Sequence, residues 1–420
     1  MMAENEKIKR ILDEVLKSRK PSEKEAGKVV NIVDEFISKL NKRKTELGIK
    51  AEIMLGGSVA KGTFLRDKFD SDVFFRFDRS YLDNELSELL EQILKPWRNK
   101  VRIHGSRDYF QLRYRKVKFE LVPVYKITNP QQAVNVTDAS PLHVNWIKEQ
   151  LKLNKHLKED IILAKIFFKA QRIYGAESYI MGFSGHVTDI LVINSGGFVN
   201  LLNDSIKWKP KVKIDVMNHG KKLNKSKRHS PLILIDPVQP ERNAAAALSK
   251  EKFNKLISSG KEFLKNPSIS FFEEKKITIK ELREISGEDK LIIVNATPLE
   301  GKEDIIGCRL LKCFEYLKKN LMVNDFILSQ AGWEWDRNAV FWYIIKNGKL
   351  DRYKKWVGPP LKSKDHVSAF KRKHTSTFES EGRICARVRR KFLKPEKMIE
   401  IMIKDEYIKN KVKAMRMKKI

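Results

Sequence analysis

Apolar positions recur along the first forty or so residues at the spacing of amphipathic helices. Ile8, Ile11, Leu12, Val15 and Leu16 form one stripe, and Val29, Ile32, Val33, Phe36, Ile37 and Leu40 form a second, so two helices open the chain. The period then changes. Short apolar runs over 51–55 and 72–77 read as strands, and Leu86, Leu89, Leu90 and Ile93 mark a helix over 83–95 that Pro96 ends. Residues 101–125 hold two β-like runs, the second being KFELVPVYKI. From 131 onward the pattern is mainly helical: TDASPLHVNWIKEQL opens on capping residues, LKEDIILAKIFFKAQRIYGAE stops at Gly175, and an apolar helix follows over 183–194. A basic loop over 220–231 reads as mobile, and an Ala-rich helix after Asn243 leads to a boundary. Beyond it, residues 256–350 mix both periods, with FILSQAGWEWDRNAVFWYIIKNG predicted as two strands around a turn.

Composition adds a partner to this outline. The chain has 420 residues, enough for two to four domains, and carries a net charge of +32. So large an excess of cations predicts a polyanion, because each neutralised phosphate releases counterions. The footprint is densest between Arg352 and Lys394, where 14 Lys+Arg face 3 Asp+Glu among Tyr353, Trp356, Phe370 and Phe378. Cys308, Cys313 and Cys385 have none of the paired spacings of a zinc site and read as reduced thiols. The first residues lack an apolar leader and no apolar stretch is long enough to span a bilayer, so a cytoplasmic protein without a membrane partner is expected.

Candidate chemistry concentrates in 55–77, LGGSVAKGTFLRDKFDSDVFFRF. Residues two apart on a strand share a face, so Asp70 and Asp72 aim both carboxylates at one spot. Such a pair suits divalent cations, which bind carboxylate together with substrate phosphates. The Gly57-Ser58 turn offers a backbone that a polyphosphate can approach and a hydroxyl donor. Glu120, alone in an apolar strand, either sits in water at a sheet edge or binds metal.

An apolar strand, Gly-Ser and then Asp-x-Asp entering a second strand resemble the DNA polymerase β-like nucleotidyltransferases. SPLHVNW, LAKIFFKAQRIYGAE, GFSGH, DPVQPERNAAAALS, PSISFF and GRICARVRRKF extend that likeness over nearly the whole chain, which resembles the archaeal-type (class I) CCA-adding tRNA nucleotidyltransferases. The resemblance implies an α+β multidomain protein. Its parts are a polymerase β-like nucleotidyltransferase head (mixed sheet with helices) over 1–135 and a helical neck or central domain over 136–255. An α+β body over 256–350 and a basic helical tail over 351–420 complete it.

The activity so implied is template-independent addition of C, C and A to the 3′ end of tRNA from CTP and ATP. Asp70, Asp72 and Glu120 would form the catalytic and metal-binding set for two Mg²⁺ ions, with Glu where the family usually has Asp. One ion would lower the pKa of the primer hydroxyl for in-line attack, and the other would support the leaving pyrophosphate. Gly57, Ser58, Lys61, Ser140, His143, Lys165 and Tyr174 match positions that hold the ATP or CTP, Lys61 standing where Arg is common and Ser140 where Thr is usual. Arg242 matches the arginine that helps read the incoming base. Lys371, Arg372, Lys373, Arg387, Arg389 and Arg390 would bind the acceptor stem and 3′ end of tRNA. Monomer and homodimer both fit the sequence. Two rival readings share these features: a poly(A)-polymerase-type transferase, which would add A alone in long runs, and a catalytically inactive tRNA-binding protein.

Overall fold

The first helix boundary is written in side-chain hydrogen bonds. Ser22 accepts from the Glu25 N–H while the Glu25 carboxylate accepts from the Ser22 N–H, a reciprocal cap that separates α1 (Met2–Arg19) from α2 (Glu23–Glu46). The computed structural model describes residues 2–66, 69–220 and 223–418. It divides into two units, Met1–Lys275 and Lys276–Ile420. Asp67 and Lys68 of the 55–77 stretch, and Lys221 and Lys222 of the basic loop, lie outside the described residues.

In the first unit, α2 buries Val29, Ile32, Val33, Phe36 and Leu40, the stripe expected from the sequence. It packs on a sheet built from β1 (Ala51–Leu55), β2 (Asp70–Phe77), β3 (Val101–Ile103), β4 (Tyr109–Tyr114) and β5 (Val117–Tyr125). A short helix α3 (Gly57–Lys61) joins β1 to β2, and α4 (Leu86–Ile93) follows β2. Strand order is β1-β2-β5-β4-β3, mixed as expected, with β2 and β5 parallel and the other pairs antiparallel.

The two faces of this sheet have different fates. Val73, Phe75, Phe77, Phe119 and Leu121 point into the core beneath α2 and α4. Phe74, Val122 and Val124 point the other way, against Ala60 of α3 and Val144 of α5 (Ser140–Leu153). That second face carries Asp70, Asp72 and Glu120.

Helices α6 (Leu157–Ala170), α7 (Gly185–Ser195) and α8 (Phe198–Ser205) continue the unit, followed by a small parallel pair, β6 (Val212–Ile214) and β7 (Leu232–Leu234), and then α9 (Lys250–Lys265). Their shared core includes Phe167, Phe168, Phe183, Ile190, Phe198 and Phe263. One local expectation differs from the structure. The Ala-rich run after Asn243 is a series of turns, because Asn243 satisfies the backbone itself: its Oδ1 accepts from the Leu234 and Ala245 N–H groups, and its Nδ2 donates to Lys227 O and Ser230 Oγ. The helix starts only where Ser249 caps α9. In the basic loop Leu223 is buried against Ile233 and Ile235, while residues 224–229 are exposed.

The second unit opens with α10 (Ile279–Ser286), β8 (Lys290–Pro298), α11 (Glu303–Val323), β9 (Leu328–Trp335) and β10 (Ala339–Ile345). Then come β11 (Tyr353–Pro360), α12 (Lys364–Lys373), β12 (Thr377–Ser380), β13 (Arg383–Arg389), α13 (Pro395–Met402), α14 (Glu406–Lys409) and β14 (Val412–Lys418). Two sheets result, ordered β14-β8-β10-β9 and β11-β13-β12. The basic tail is therefore only partly helical. In RICARVR, Ile384, Ala386 and Val388 fall on one strand face and Arg383, Arg387 and Arg389 on the other, with the buried Cys385 among the arginines, and the charge density obscured that period. Among the described residues no helix is long and apolar enough to cross a membrane.

Candidate active site

Asp70 and Asp72 lead into β2, and the parallel register sets Asp72 beside Glu120 and Asp70 beside Lys118. The three acids thus share one face of the sheet; Asp70 is exposed and the other two half-buried. Glu120 is not at an edge, because β5 lies mid-sheet. Gln111 of β4 donates to it at 2.7 Å, and Lys118 Nζ stands 3.8 Å away. Asp72 responds to this company: burial, then the charges of Glu120 and Asp70, push its carboxyl up to about 6, with Lys61 opposing them.

Gly57 is the one residue type that fits against this carboxylate. Its φ is +63°, and a Cβ there would lie 2.4 Å from Asp72 Oδ2. Gly57→Ala is expected to displace Asp72 and lower turnover by about 10²-fold, since small displacements of a reacting group carry that cost. Single-turnover rates with tRNA-binding controls check it; wild-type turnover would show that the close approach does not matter.

A second group lies behind the acids. Lys61, at the end of α3, and Lys165 of α6 converge on Asp189 of α7, with Nζ to carboxylate distances of 2.5 and 3.4 Å. Lys165 also donates to Thr63 Oγ1 at 2.9 Å. Burial alone would raise the Asp189 carboxyl, but Lys165 and Lys61 hold it below the ordinary value. Burial brings Lys165 down to about 8, although Asp189 counteracts it. Tyr174, just past α6, pairs with Phe183, and its hydroxyl occupies the space beside Gly185, where a Cβ would sit 2.8 Å away. Burial pushes that hydroxyl well up, so it stays a proton donor.

A third group centres on Asp236, whose carboxylate is fully buried. Oδ1 accepts from His143 Nε2 at 2.9 Å and from the Val238 and Gln239 N–H groups at 3.0 Å each. Oδ2 accepts from His186 Nε2 and from Arg242, both at 3.3 Å. Burial would raise this carboxyl, yet the two histidines hold it well below the usual range. His143, His186 and Asp236 have donor atoms within 4.8 Å of one another, the spacing of a metal site. With its acceptor positions occupied and the Arg242 cation beside it, however, Asp236 is suited to orienting side chains rather than to ligating an ion.

The structure thus brings Asp70, Asp72, Glu120 and Gly57 together, with the half-buried Ser58 one residue on. It ties Lys61 to Lys165 through Asp189, and His143 to Arg242 through Asp236. Ser140 begins α5, one turn before His143. In the second unit Lys371, Arg372 and Lys373 close α12 exposed, and Arg387 and Arg389 lie exposed on β13. Arg390 is engaged internally, with Asp325 at 3.2 Å and Tyr353 O at 2.6 Å. The sequence reading assigned no role to Asp189, His186 or Asp236. Asp189 had the signal used for Glu120, a lone acid in an apolar element, and the other two stand inside the quoted GFSGH and DPVQPERN segments.

Three family descriptions match the chain: a nucleotidyltransferase domain over 33–143, a tRNA nucleotidyltransferase second domain over 159–273, and a CCA-adding enzyme C-terminal domain over 286–415. The CCA-adding enzyme of Methanosarcina barkeri is 32% identical over 372 residues, 86% of this chain and 80% of that protein. Its counterpart in Nanoarchaeum equitans is 35% identical over 353 residues, 81% of this chain and 84% of its own length. Among solved structures, the Cid1 poly(U) polymerase bound to MgATP superposes with a TM-score of 0.51 at 15% identity, covering 63% of this chain and 98% of its own; this likeness concerns fold alone.

Proposed function

The chain belongs to the CCA-adding enzymes, and from that membership we propose how its own residues carry the reaction. Its activity is the addition of CCA to the 3′ end of tRNA from CTP and ATP, with release of pyrophosphate. The single observation that carries the site assignment is the common sheet face of Asp70, Asp72 and Glu120.

Those residues fit divalent cations. They offer hard oxygen donors on one face, and after burial the charges of Glu120 and Asp70 raise the Asp72 carboxyl, with Lys61 opposing them. We assign two Mg²⁺ ions to Asp70 and Asp72 with Glu120 as third acid; bound there, the ions supply electrophilic activation of the α-phosphate and of the attacking hydroxyl. The chain's own groups do the rest. Lys61 and Lys165 meet the triphosphate, exchanging part of their hold on Asp189 for phosphate oxygens, and Ser58, Ser140, His143 and Tyr174 contribute polar contacts around nucleotide and sugar. The tRNA 3′-oxygen forms its bond to the α-phosphorus as the bond to the β-phosphate oxygen breaks.

The test is incubation of the protein with Mg²⁺, a tRNA lacking CCA, and CTP and ATP, separately and together, with product lengths read on a sequencing gel. Two residues from CTP alone and a stop at three with both are expected. Long A tracts would instead identify a poly(A)-type enzyme, and no addition with tight tRNA binding would identify an inactive binding protein.

The exposed cations of the second unit carry the tRNA contact in this reading. Charge reversal at Lys371 and Arg372 is expected to weaken tRNA binding and to lower the slope of log affinity against log salt by about 1 to 2, since each lost phosphate contact removes about one released ion. Filter binding across a salt series checks this, and an unchanged slope would move the RNA site elsewhere. Arg390→Glu should act differently, lowering the melting temperature through its lost bonds to Asp325 and Tyr353.

A further inference from the structure

Of the three acids on the shared sheet face, Glu120 is the one whose carboxylate the backbone does not place. Asp70 and Asp72 each carry their carboxylate one methylene from β2, whereas Glu120 adds a further rotatable bond. Packing does not hold it either, since its side chain is 34% exposed. Asp72, its register partner on β2, bears the same charge and repels it.

Gln111 supplies what is missing. It stands directly opposite Glu120 across the antiparallel pair of β4 and β5, where facing side chains come within reach of each other. Its Nε2 donates to Glu120 Oε1 at 2.7 Å, and Lys118 Nζ stands 3.8 Å from the same oxygen, so neither contact engages Oε2. The base of this tether is rigid. Phe110 and Leu112, on either side of Gln111, are buried in the core on the other sheet face. The ends of β4 are pinned as well: Asp108 O accepts from Ser87 Oγ at 2.9 Å, and the Tyr114 hydroxyl donates to Glu35 at 2.7 Å.

An amide is also the chemistry that suits a tether beside a cation site. A lysine or arginine here would hold the carboxylate by cancelling its charge, an acid would add a fourth like charge, and an apolar side chain would leave Glu120 free to turn. A neutral N–H donor orients Glu120 and leaves its negative charge for a hard cation. Ligating carboxylates are held in this way by outer partners, and removing such a partner costs about 10- to 100-fold in metal affinity or activity.

We propose that Gln111 is a positioning residue for nucleotide addition: its amide fixes Glu120 as the third acid for the divalent ions assigned to Asp70 and Asp72, and leaves the charge of that acid intact. This rests on the metal assignment above and adds what holds its third member.

The test is Mn²⁺ binding, followed by electron paramagnetic resonance on the full chain with a tRNA lacking CCA and the α,β-methylene analogue of CTP, which cannot release pyrophosphate. Gln111→Leu is expected to bind Mn²⁺ about 10-fold more weakly than wild type and to need correspondingly more Mg²⁺ for half-maximal addition, with nucleotide KM at saturating Mg²⁺ within about twofold. Gln111→Lys restores a donor but brings a cation, so its Mn²⁺ affinity should fall at least as far. In a Glu120→Ala background Gln111→Leu should cost nothing further, because the carboxylate it held is gone. Wild-type Mn²⁺ affinity in Gln111→Leu or in Gln111→Lys overturns the proposal, and Gln111→Lys decides the question even if Gln111→Leu does not fold. An undiminished loss in the Glu120→Ala background also overturns it, since a merely structural residue would behave so. A wild type that takes up no more Mn²⁺ than the analogue alone is a different outcome, and it removes the metal assignment together with the role of Gln111.

Discussion

Asp70→Asn and Asp72→Asn are expected to abolish nucleotide addition, lowering single-turnover rates by about 10³-fold or more, while tRNA affinity stays within about twofold of wild type. The two side chains share one sheet face with Glu120, and an amide at either position cannot supply the charge that a hard cation needs. The exposed cations of α12 and β13 are untouched by either change, which is why binding and turnover separate. Near-normal addition by either variant would remove the metal assignment. Stability should move in the opposite direction from activity at Asp72. Its carboxyl sits at about 6 in the folded chain against an ordinary 3.8, so in metal-free protein stability is lost as pH rises from 3.8 to about 6, and the full cost stands above that. Asp72→Asn lacks that penalty. Its melting temperature without metal should exceed wild type at pH 7.5, and the difference should narrow as pH falls below about 6 and close below 3.8, where the wild-type group is protonated in both states. A variant less stable than wild type at pH 7.5 would mean that Asp72 is already neutralised by a neighbour.

The separation of activity from stability shows what kind of information the sequence carried. Period alone gave the head: the stripe of α2, the strand entering at Asp70, and the mid-sheet strand around Glu120 are all local alternations, and they recur in the structure. Asp-x-Asp was legible because residues two apart on one strand must share a face. Pairings across long sequence separation were not legible. Lys61 meets Asp189 across 128 positions and His143 meets Asp236 across 93, and nothing in either local pattern points to the other. The tail failed for another reason, since its cations drew attention from the period-two pattern of β13. The Ala-rich run failed because helix propensity is weak beside a side chain such as Asn243 that fulfils the backbone's hydrogen bonds.

Asp189 is where a long-range pairing has the largest consequence. Its carboxylate is fully buried, and the two lysines it joins are 10% and 5% exposed. Asp189→Asn would leave two buried ammonium groups without their counter-charge, a loss of about 3 to 5 kcal/mol when one partner of a buried pair is removed. For a unit of this size that corresponds to a drop in melting temperature of about 10 °C. ATP should reverse part of the drop, because its triphosphate supplies the missing anion, so the ATP-induced rise should be larger in the variant than in the wild type. Nucleotide KM should rise as well, with the lysines no longer held in position. The pH dependence has a definite sign. Lys165 is lowered to about 8 from an ordinary 10.5, so the unfolded chain binds its proton more readily and stability rises with pH across that interval. Without Asp189 the depression is greater, so the gap between variant and wild type should narrow as pH rises toward about 8, where Lys165 of the wild type also gives up its proton, and stay level above that. Thermal melts with and without ATP across that range make the measurement. A variant that melts with the wild type, or gains no more from ATP than the wild type does, would show that Asp189 is not the counter-charge that keeps the two lysines ready for the triphosphate.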